Sequence, residues 1–197
     1  MARILVVYGT TYGQTQRVGR RTVDRLADSG HELSMYKGDH LPGNLSLDEY
    51  DAFVVAASII GGRHQRYTRD FVRKHVVRLN AAPSAFVSIC GAAAASPAPA
   101  GEYLQEFLRQ TGWRPAFSAS FAGAIAYTRY GWVLRWIMRM ISRKNGGPTD
   151  TTCDHELTDW NAVDCFAEQL SHALPAPGPS SPVRSPGTIA IAHAARN

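Results

Sequence analysis

The chain has 197 residues, three cysteines and a formal charge of +5, with a pI near 9.3. That length suits one domain with a sizeable core, and an odd set of cysteines (Cys90, Cys153, Cys165) without metal-ligand spacing argues against a disulfide framework or a metal site and for a reducing compartment. No run of about 18 apolar residues exists to span a bilayer, and the positive charge calls for an anionic partner without choosing among nucleic acid, lipid headgroup and carboxylate.

In chain order, residues 3–8 form a first strand, apolar on both faces as a central parallel strand must be. Residues 14–29 follow as a helix whose Val18, Thr22, Val23 and Leu26 cover a sheet, and Gly30 stops it. A short second strand occupies 31–36 and a continuous apolar third strand 53–57. A helix over 67–79 carries Phe71, Val72, His75, Val76 and Leu79 on one stripe, with Arg69, Arg73, Lys74 and Arg78 on a solvated face. The fourth strand spans 84–89, a helix 102–110, and a fifth, alternating strand 116–125.

Beyond it the pattern changes. Residues 127–144 set Trp132, Trp136, Ile137 and Met140 among further apolar residues, while Arg135, Arg139 and Arg143 recur four apart. An interfacial amphipathic helix has this pattern, and so does a core helix with snorkelling arginines. A last helix covers 159–174 behind Thr158 as its N-cap, and residues 175–197, rich in Pro, Ser and Ala, read as a disordered tail. The N-terminal apolar run is too short for a signal peptide, so a cytoplasmic location is expected.

Three stretches of small residues end strands. Gly9-Thr10-Thr11-Tyr12-Gly13-Gln14-Thr15 places hydroxyls and unpaired N–H groups at a helix start, a cradle for a phosphate, although threonine capping of an ordinary turn would use the same residues. The second stretch is Ser58-Ile59-Ile60-Gly61-Gly62, and the third is Cys90-Gly91-Ala92, with Ser88 just before it. Alternating strands and helices imply a doubly wound α/β sheet in the order 2-1-3-4-5, and in that order these loops meet at the switch point. One phosphate cradle and two flanking loops suit a mononucleotide, flavin mononucleotide (FMN) above a dinucleotide.

The first loop resembles the phosphate loop of flavodoxins, with Tyr12 where those proteins usually carry Thr. Ala57-Ser58-Ile59, Lys74-His75, Arg78-Leu79-Asn80, Pro83-Ser84-Ala85-Phe86, Trp113-Arg114-Pro115, Ala122-Gly123-Ala124, Arg129-Tyr130, Gly146-Gly147, Thr149-Asp150-Thr151 and Thr158-Asp159-Trp160 are similar, in the same order, to the flavodoxin-like, menaquinone-dependent protoporphyrinogen dehydrogenases of bacterial haem biosynthesis. The resemblance spans roughly residues 2–174. It implies an FMN enzyme that takes six electrons from protoporphyrinogen IX and passes them to menaquinone or ubiquinone, resting on the inner face of the cell membrane through an insertion at about 127–149.

On that reading the three loops bind FMN, and Arg63, Arg129 and Arg135 are candidates for the substrate's propionates. Trp132, Trp136, Ile137 and Met140 would meet an anionic membrane. No catalytic acid or base is named, because hydride chemistry belongs to the flavin ring. His64 reads as a solvated loop residue, and no nucleic acid is expected. The chain departs from the family at Ile60-Gly61, where an Arg-Tyr pair is expected, and lacks aromatic residues to stack on a flavin in the second and third loops. Rival readings are an electron-carrying flavodoxin, against which the high pI argues because such carriers are acidic; an NAD(P)H-dependent quinone reductase; and a non-catalytic anion binder.

Overall fold

A computed structural model describes residues 1–91 and 97–174, the side chains of 97–99 excepted. Strands β1 (Arg3–Gly9), β2 (Glu32–Lys37), β3 (Ala52–Ile60), β5 (Ser84–Cys90) and β6 (Phe117–Ala122) lie side by side in the order β2-β1-β3-β5-β6, all parallel. This is the expected 2-1-3-4-5 order, with one added strand: β4 (Arg63–His64) folds back antiparallel on the end of β3. Helices α1 (Gln14–Asp28) and α5 (Trp160–Ala173) pack together on one face, α2 (Arg66–Asn80) and α3 (Pro97–Thr111) on the other.

Strand alternation divides the core. Ile4 and Val6 join Val18, Leu26, Val54, Val87, Phe166 and Leu170 on the α1/α5 side. Leu5 and Val7 join Phe53, Val55, Phe71, Leu79, Phe86, Phe107 and Trp113 on the α2/α3 side. Both faces of the central strands are therefore covered, which is why they read as unbroken apolar runs.

Four expectations change. The second loop is largely strand: Ser58, Ile59 and Ile60 continue β3, and a two-residue turn at Gly61 and Gly62, with φ of +57° and +77°, returns the chain as β4. Positive φ at both central positions is what a tight hairpin needs and what glycine allows. The fifth strand stops at Ala122; after Gly123, β7 (Ala124–Ile125) pairs antiparallel with β8 (His155–Glu156), closing the base of the insertion. Helix α3 begins at Pro97, five residues early, because proline suits a first turn whose N–H groups have no partner anyway. The α5 cap is Asp159, which accepts from the N–H groups of Asn161 and Ala162; Thr158 donates instead to the Ala122 carbonyl and accepts from Gln14.

The insertion is a 3-10 turn, Tyr127–Arg129, followed by α4 (Trp132–Lys144). It stands on a small cluster of its own: Ile125, Ala126, Tyr127 and Tyr130, with Tyr12, Met138 and Leu157 packed against it. The Tyr127 hydroxyl donates to the Pro148 carbonyl at 2.9 Å and Ser142 donates to the same oxygen, tying both ends of the insertion together. No helix of the described residues is long and apolar enough to cross a membrane. The expected tail, 175–197, lies outside the described residues.

Candidate functional site

The carboxyl ends of β1, β3 and β5 lie in register: Gly9 beside Ala57, and Ser58 beside Ile89. All three small-residue stretches thus share one rim, with the phosphate-loop candidate between β1 and α1. Gly13 precedes α1 with φ of +93°, and no side chain caps the helix, nor is there an acid in its first turn. The leading N–H groups of a 15-residue helix are left for an anion. Thr15 is fully buried and its Oγ has no hydrogen-bond partner among the described residues, although a buried hydroxyl without one is costly. An uncapped helix, a left-handed glycine and an orphaned hydroxyl together fit a phosphate monoester.

The rest of the loop is held by the protein. Thr10 Oγ accepts from the Gly13 N–H at 2.9 Å, and the Thr10 N–H donates to the Tyr67 hydroxyl at 3.1 Å. Burial raises the Tyr67 pKa, so this hydroxyl stays protonated at neutral pH. A β-carbon on Gly9 would stand 2.2 Å from Thr68 Oγ, so the loop can leave the sheet here only on glycine. Thr11 is exposed at the lip. Tyr12 turns outward and meets Tyr130 edge-on at 4.9 Å, and its carbonyl accepts from Arg129 Nη1 at 2.8 Å.

Several candidate side chains serve elsewhere. Gln14 spends its amide on Glu156 and Thr158, leaving only its backbone N–H for a ligand. Arg135 donates from Nε and Nη2 to the Tyr127 and Tyr130 carbonyls and holds the 3-10 turn, which turns this end of its guanidinium to the body and leaves Arg139 and Arg143 as the exposed arginines of the α4 stripe. Ser88 is buried inside the sheet against His64 rather than at the rim. Arg63 is exposed at the hairpin turn, and Arg129, on the insertion, is exposed beside the phosphate loop. Cys90 is buried at the end of β5 and Gly91 exposed after it; Ala92 lies outside the described residues.

Because β3 runs past its neighbours before turning, the hairpin rises above the rim and leaves Ile60 44% exposed there. Its closing residue, His64, is not solvated as expected. It is buried between Phe86 and Phe107, at ring distances of 5.4 and 4.9 Å, and hydrogen bonded to Ser88 Oγ at 2.9 Å. Burial pushes its pKa down to about 4, so the imidazole is neutral. Once Gly61-Gly62 is seen as a hairpin turn, the period of two places Arg63 outward and His64 inward, a signal the sequence did carry.

On α4, Arg135, Met138 and Ser142 form the stripe facing the body. Trp136 and Met140 stand opposite, with Arg139 and Arg143 along one flank at 100° per residue. Trp132 is 83% and Trp136 63% exposed; Ile137, Met140 and Ile141 are exposed as well. Among the described residues, the only large exposed apolar side chains outside α4 are Met1, Ile60 and Val77. A core helix is therefore not what this segment forms within the chain.

The flavodoxin domain family matches residues 5–152. The protoporphyrinogen IX dehydrogenase (quinone) of Escherichia coli (strain K12) is 32% identical over 179 residues, covering 89% of this chain and 98% of the relative. The Leishmania major protein of the same name is 33% identical over 184 residues, 91% of this chain and 79% of its own. Among solved structures, oxidised flavodoxin 1 from Bacillus cereus superposes with a TM-score of 0.56 at 14% identity, covering 88% of this chain and all of that one. The flavodoxin of Streptococcus pneumoniae TIGR4 gives 0.53 at 15%, with the same coverage.

Proposed function

The chain belongs to the flavodoxin-domain family and, within it, to the protoporphyrinogen IX dehydrogenases (quinone), and from that membership we propose that this FMN oxidoreductase oxidises protoporphyrinogen IX to protoporphyrin IX in haem biosynthesis, delivering the electrons to a membrane quinone. The observation that carries the reading beyond an electron carrier is α4: a helix of exposed Trp, Ile and Met with exposed arginines, joined by Arg129 to the phosphate loop. A soluble shuttle has no use for such a face, whereas an enzyme whose oxidant is dissolved in lipid must bring its cofactor to the bilayer surface.

Bound FMN would supply two-electron redox chemistry between substrate and quinone, so that one porphyrinogen losing six electrons and six protons would turn three quinones into quinols. The protein supplies position and shielding. The first turn of α1, Thr15 and the Gly13 turn would hold the phosphate, and Ile60 with the Gly61-Gly62 turn would flank the ring. Arg129 and Arg63, both exposed at this end of the sheet, are the cations left to attract propionates. Arg139 and Arg143 favour anionic headgroups around the Trp136 face, which makes the protein peripheral to the membrane.

The test is an anaerobic assay with protoporphyrinogen IX and either menaquinone or ubiquinone in anionic liposomes, beside a flavin spectrum. The reading expects a yellow protein and three quinols per porphyrin formed. Reduced flavin that is regenerated only by NAD(P)H would make it a nicotinamide-dependent reductase.

A further inference from the structure

The β3–β4 hairpin flanking the ring site is held at its base by the Gln65 amide, which donates to the Ser58 hydroxyl, and has few ties beyond it. Two residue pairs join its strands, Ile59 with His64 and Ile60 with Arg63, and a hairpin this short is not stable in water by itself. Gly61, Gly62 and Arg63 are exposed, so the turn contributes no burial of its own. Of the two β4 residues, His64 alone is buried, 8% exposed, and its ring enters the α2/α3 core.

The hairpin also leans toward α3: a β-carbon on Gly62 would stand 3.7 Å from the Tyr103 ring, and one helical turn on, Phe107 meets the His64 ring edge-on. Phe86 and Phe107 are stacked at 4.4 Å, and His64 closes the aromatic group they begin. The imidazole thus joins the hairpin to β5 through Ser88 Oγ and to α3 through Phe107.

We propose that His64 is a positioning residue for the cofactor: its wedged imidazole, bonded to the Ser88 hydroxyl, seats the Ile60–Gly62 turn against one side of the flavin. This rests on the FMN reading above and adds a feature of this chain to it. The groups facing the ring are Phe86 and Ser88 from β5 and Phe107 from α3, with Ile59 paired across the hairpin; none of them titrates. Among the described residues a proton added to this imidazole has no counter-charge to meet, and burial pushes its pKa down to about 4. Acid therefore favours conformers in which the ring leaves this pocket and reaches water, and with them an unseated turn.

The experiment uses the full chain stripped of flavin, with His64→Gln, which keeps a donor for Ser88 and cannot titrate, and His64→Ala, which leaves a gap. Affinities for FMN and riboflavin are read by flavin fluorescence, and seating of the turn by the rate of tryptic cleavage after Arg63 at pH 8. At pH 7.5, His64→Ala should bind FMN at least ~10-fold more weakly and be cut after Arg63 at least ~10-fold faster, with His64→Gln close to wild type. Riboflavin carries no phosphate to titrate, so its affinity should fall between pH 6 and 4 in wild type and stay flat in His64→Gln.

Wild-type FMN affinity and cleavage in His64→Ala would overturn the inference, as would the same acid profile in wild type and His64→Gln. If His64→Ala does not fold, the wild-type and His64→Gln riboflavin profiles decide alone. A wild-type protein that takes up no FMN overturns the cofactor assignment itself, which separates the two failures.

Discussion

Replacing Thr15 by Val should move stability and cofactor affinity in opposite directions. The side chain is fully buried at the start of α1, its hydroxyl has no partner among the described residues, and Val fills the same shape. Leaving a buried hydroxyl unpaired costs about 1–3 kcal/mol, so the flavin-free variant should be as stable as wild type or more so, by about 1 kcal/mol in urea titrations. With the cofactor the sign reverses. A hydrogen bond to a charged group is worth about 1.5–3 kcal/mol, which at about 1.4 kcal/mol per decade is a loss of roughly 10- to 100-fold in FMN affinity. Riboflavin has no phosphate, and its affinity should not change. The assay is fluorescence titration of apoprotein in a phosphate- and sulfate-free buffer, since either ion would compete for the cradle. A variant that is less stable without flavin and binds FMN as tightly as wild type would show that the hydroxyl serves the fold, and the phosphate reading would lose its best residue.

At Gly13, φ of +93° costs a residue with a β-carbon about 1–2 kcal/mol, while the nearest atom to that carbon, Arg129 Nη1 at 3.8 Å, leaves room for it. Stability in urea should rank Gly above Asn above Ala, because Asn tolerates the left-handed region; equal values for Asn and Ala would refute a conformational origin. On α4, Trp136→Ser with Arg139→Ser removes about half the transfer energy of ~130 Å² of exposed indole at ~25 cal/mol/Å² and ~1 kcal/mol of headgroup attraction, about 2.5 kcal/mol in all. Binding to anionic liposomes should drop near 70-fold at unchanged flavin content, and equal binding would refute the interfacial role. Burial depresses the pKa values of His31, His64 and His75, so the unfolded chain takes up protons first as pH falls below about 6.5, and stability present above that pH is lost toward pH 5. The His64 share, from 6.5 to about 4, amounts to ~2 kcal/mol at pH 5. Urea titrations at pH 7.5 and 5 should show the loss shrinking by that amount in His64→Gln; an unchanged loss would refute it. Carboxylates held below their usual range, Asp164 between Arg21 and Arg25 among them, matter only below about pH 4 and leave this window to the histidines.

What could be read in the sequence followed from how far each signal reaches along the chain. The central strands were legible because the runs at Ile4–Tyr8, Phe53–Ala57 and Ala85–Val87 are apolar at consecutive positions, which a sheet covered on both faces requires. The phosphate loop was legible because its needs are local: small residues, hydroxyls and a glycine between a strand and a helix. Choices settled by distant partners were not. Thr158 and Asp159 are equally good caps by type, and what assigns the cap to Asp159 is the Ala122 carbonyl, 36 residues away, which engages the threonine. Arg135 belongs to the basic stripe by spacing, yet carbonyls of the preceding turn draw it inward. The hairpin was written in Gly61-Gly62, but Ser58-Ile59-Ile60 suits a strand end as well as a loop, and taking it as a loop concealed the alternation that buries His64.

The position of α4 gives the interfacial reading its geometric sense. Strand β6 ends at the same rim as β1, β3 and β5, and the insertion begins there, so α4 is attached at the end of the sheet where the flavin must sit. It is braced on that side as well. Arg129 grips the Tyr12 carbonyl, Tyr130 packs on the Tyr12 ring, and Thr128 donates to Asp154 from its N–H and its hydroxyl. Stripped of its body-facing residues Arg135, Met138 and Ser142, the helix would be an amphipathic peptide free to tumble; with them, it presents Trp136 and Met140 in one fixed direction. On the proposed function, a bilayer docked on that face would meet the rim formed by the carboxyl ends of the strands instead of their distant amino ends. On that proposal a quinone diffusing within the lipid would need to travel only to the enzyme's edge, and Arg139 and Arg143, proposed to meet the membrane, would stand at the end of the molecule where propionates of the proposed substrate would also require positive charge.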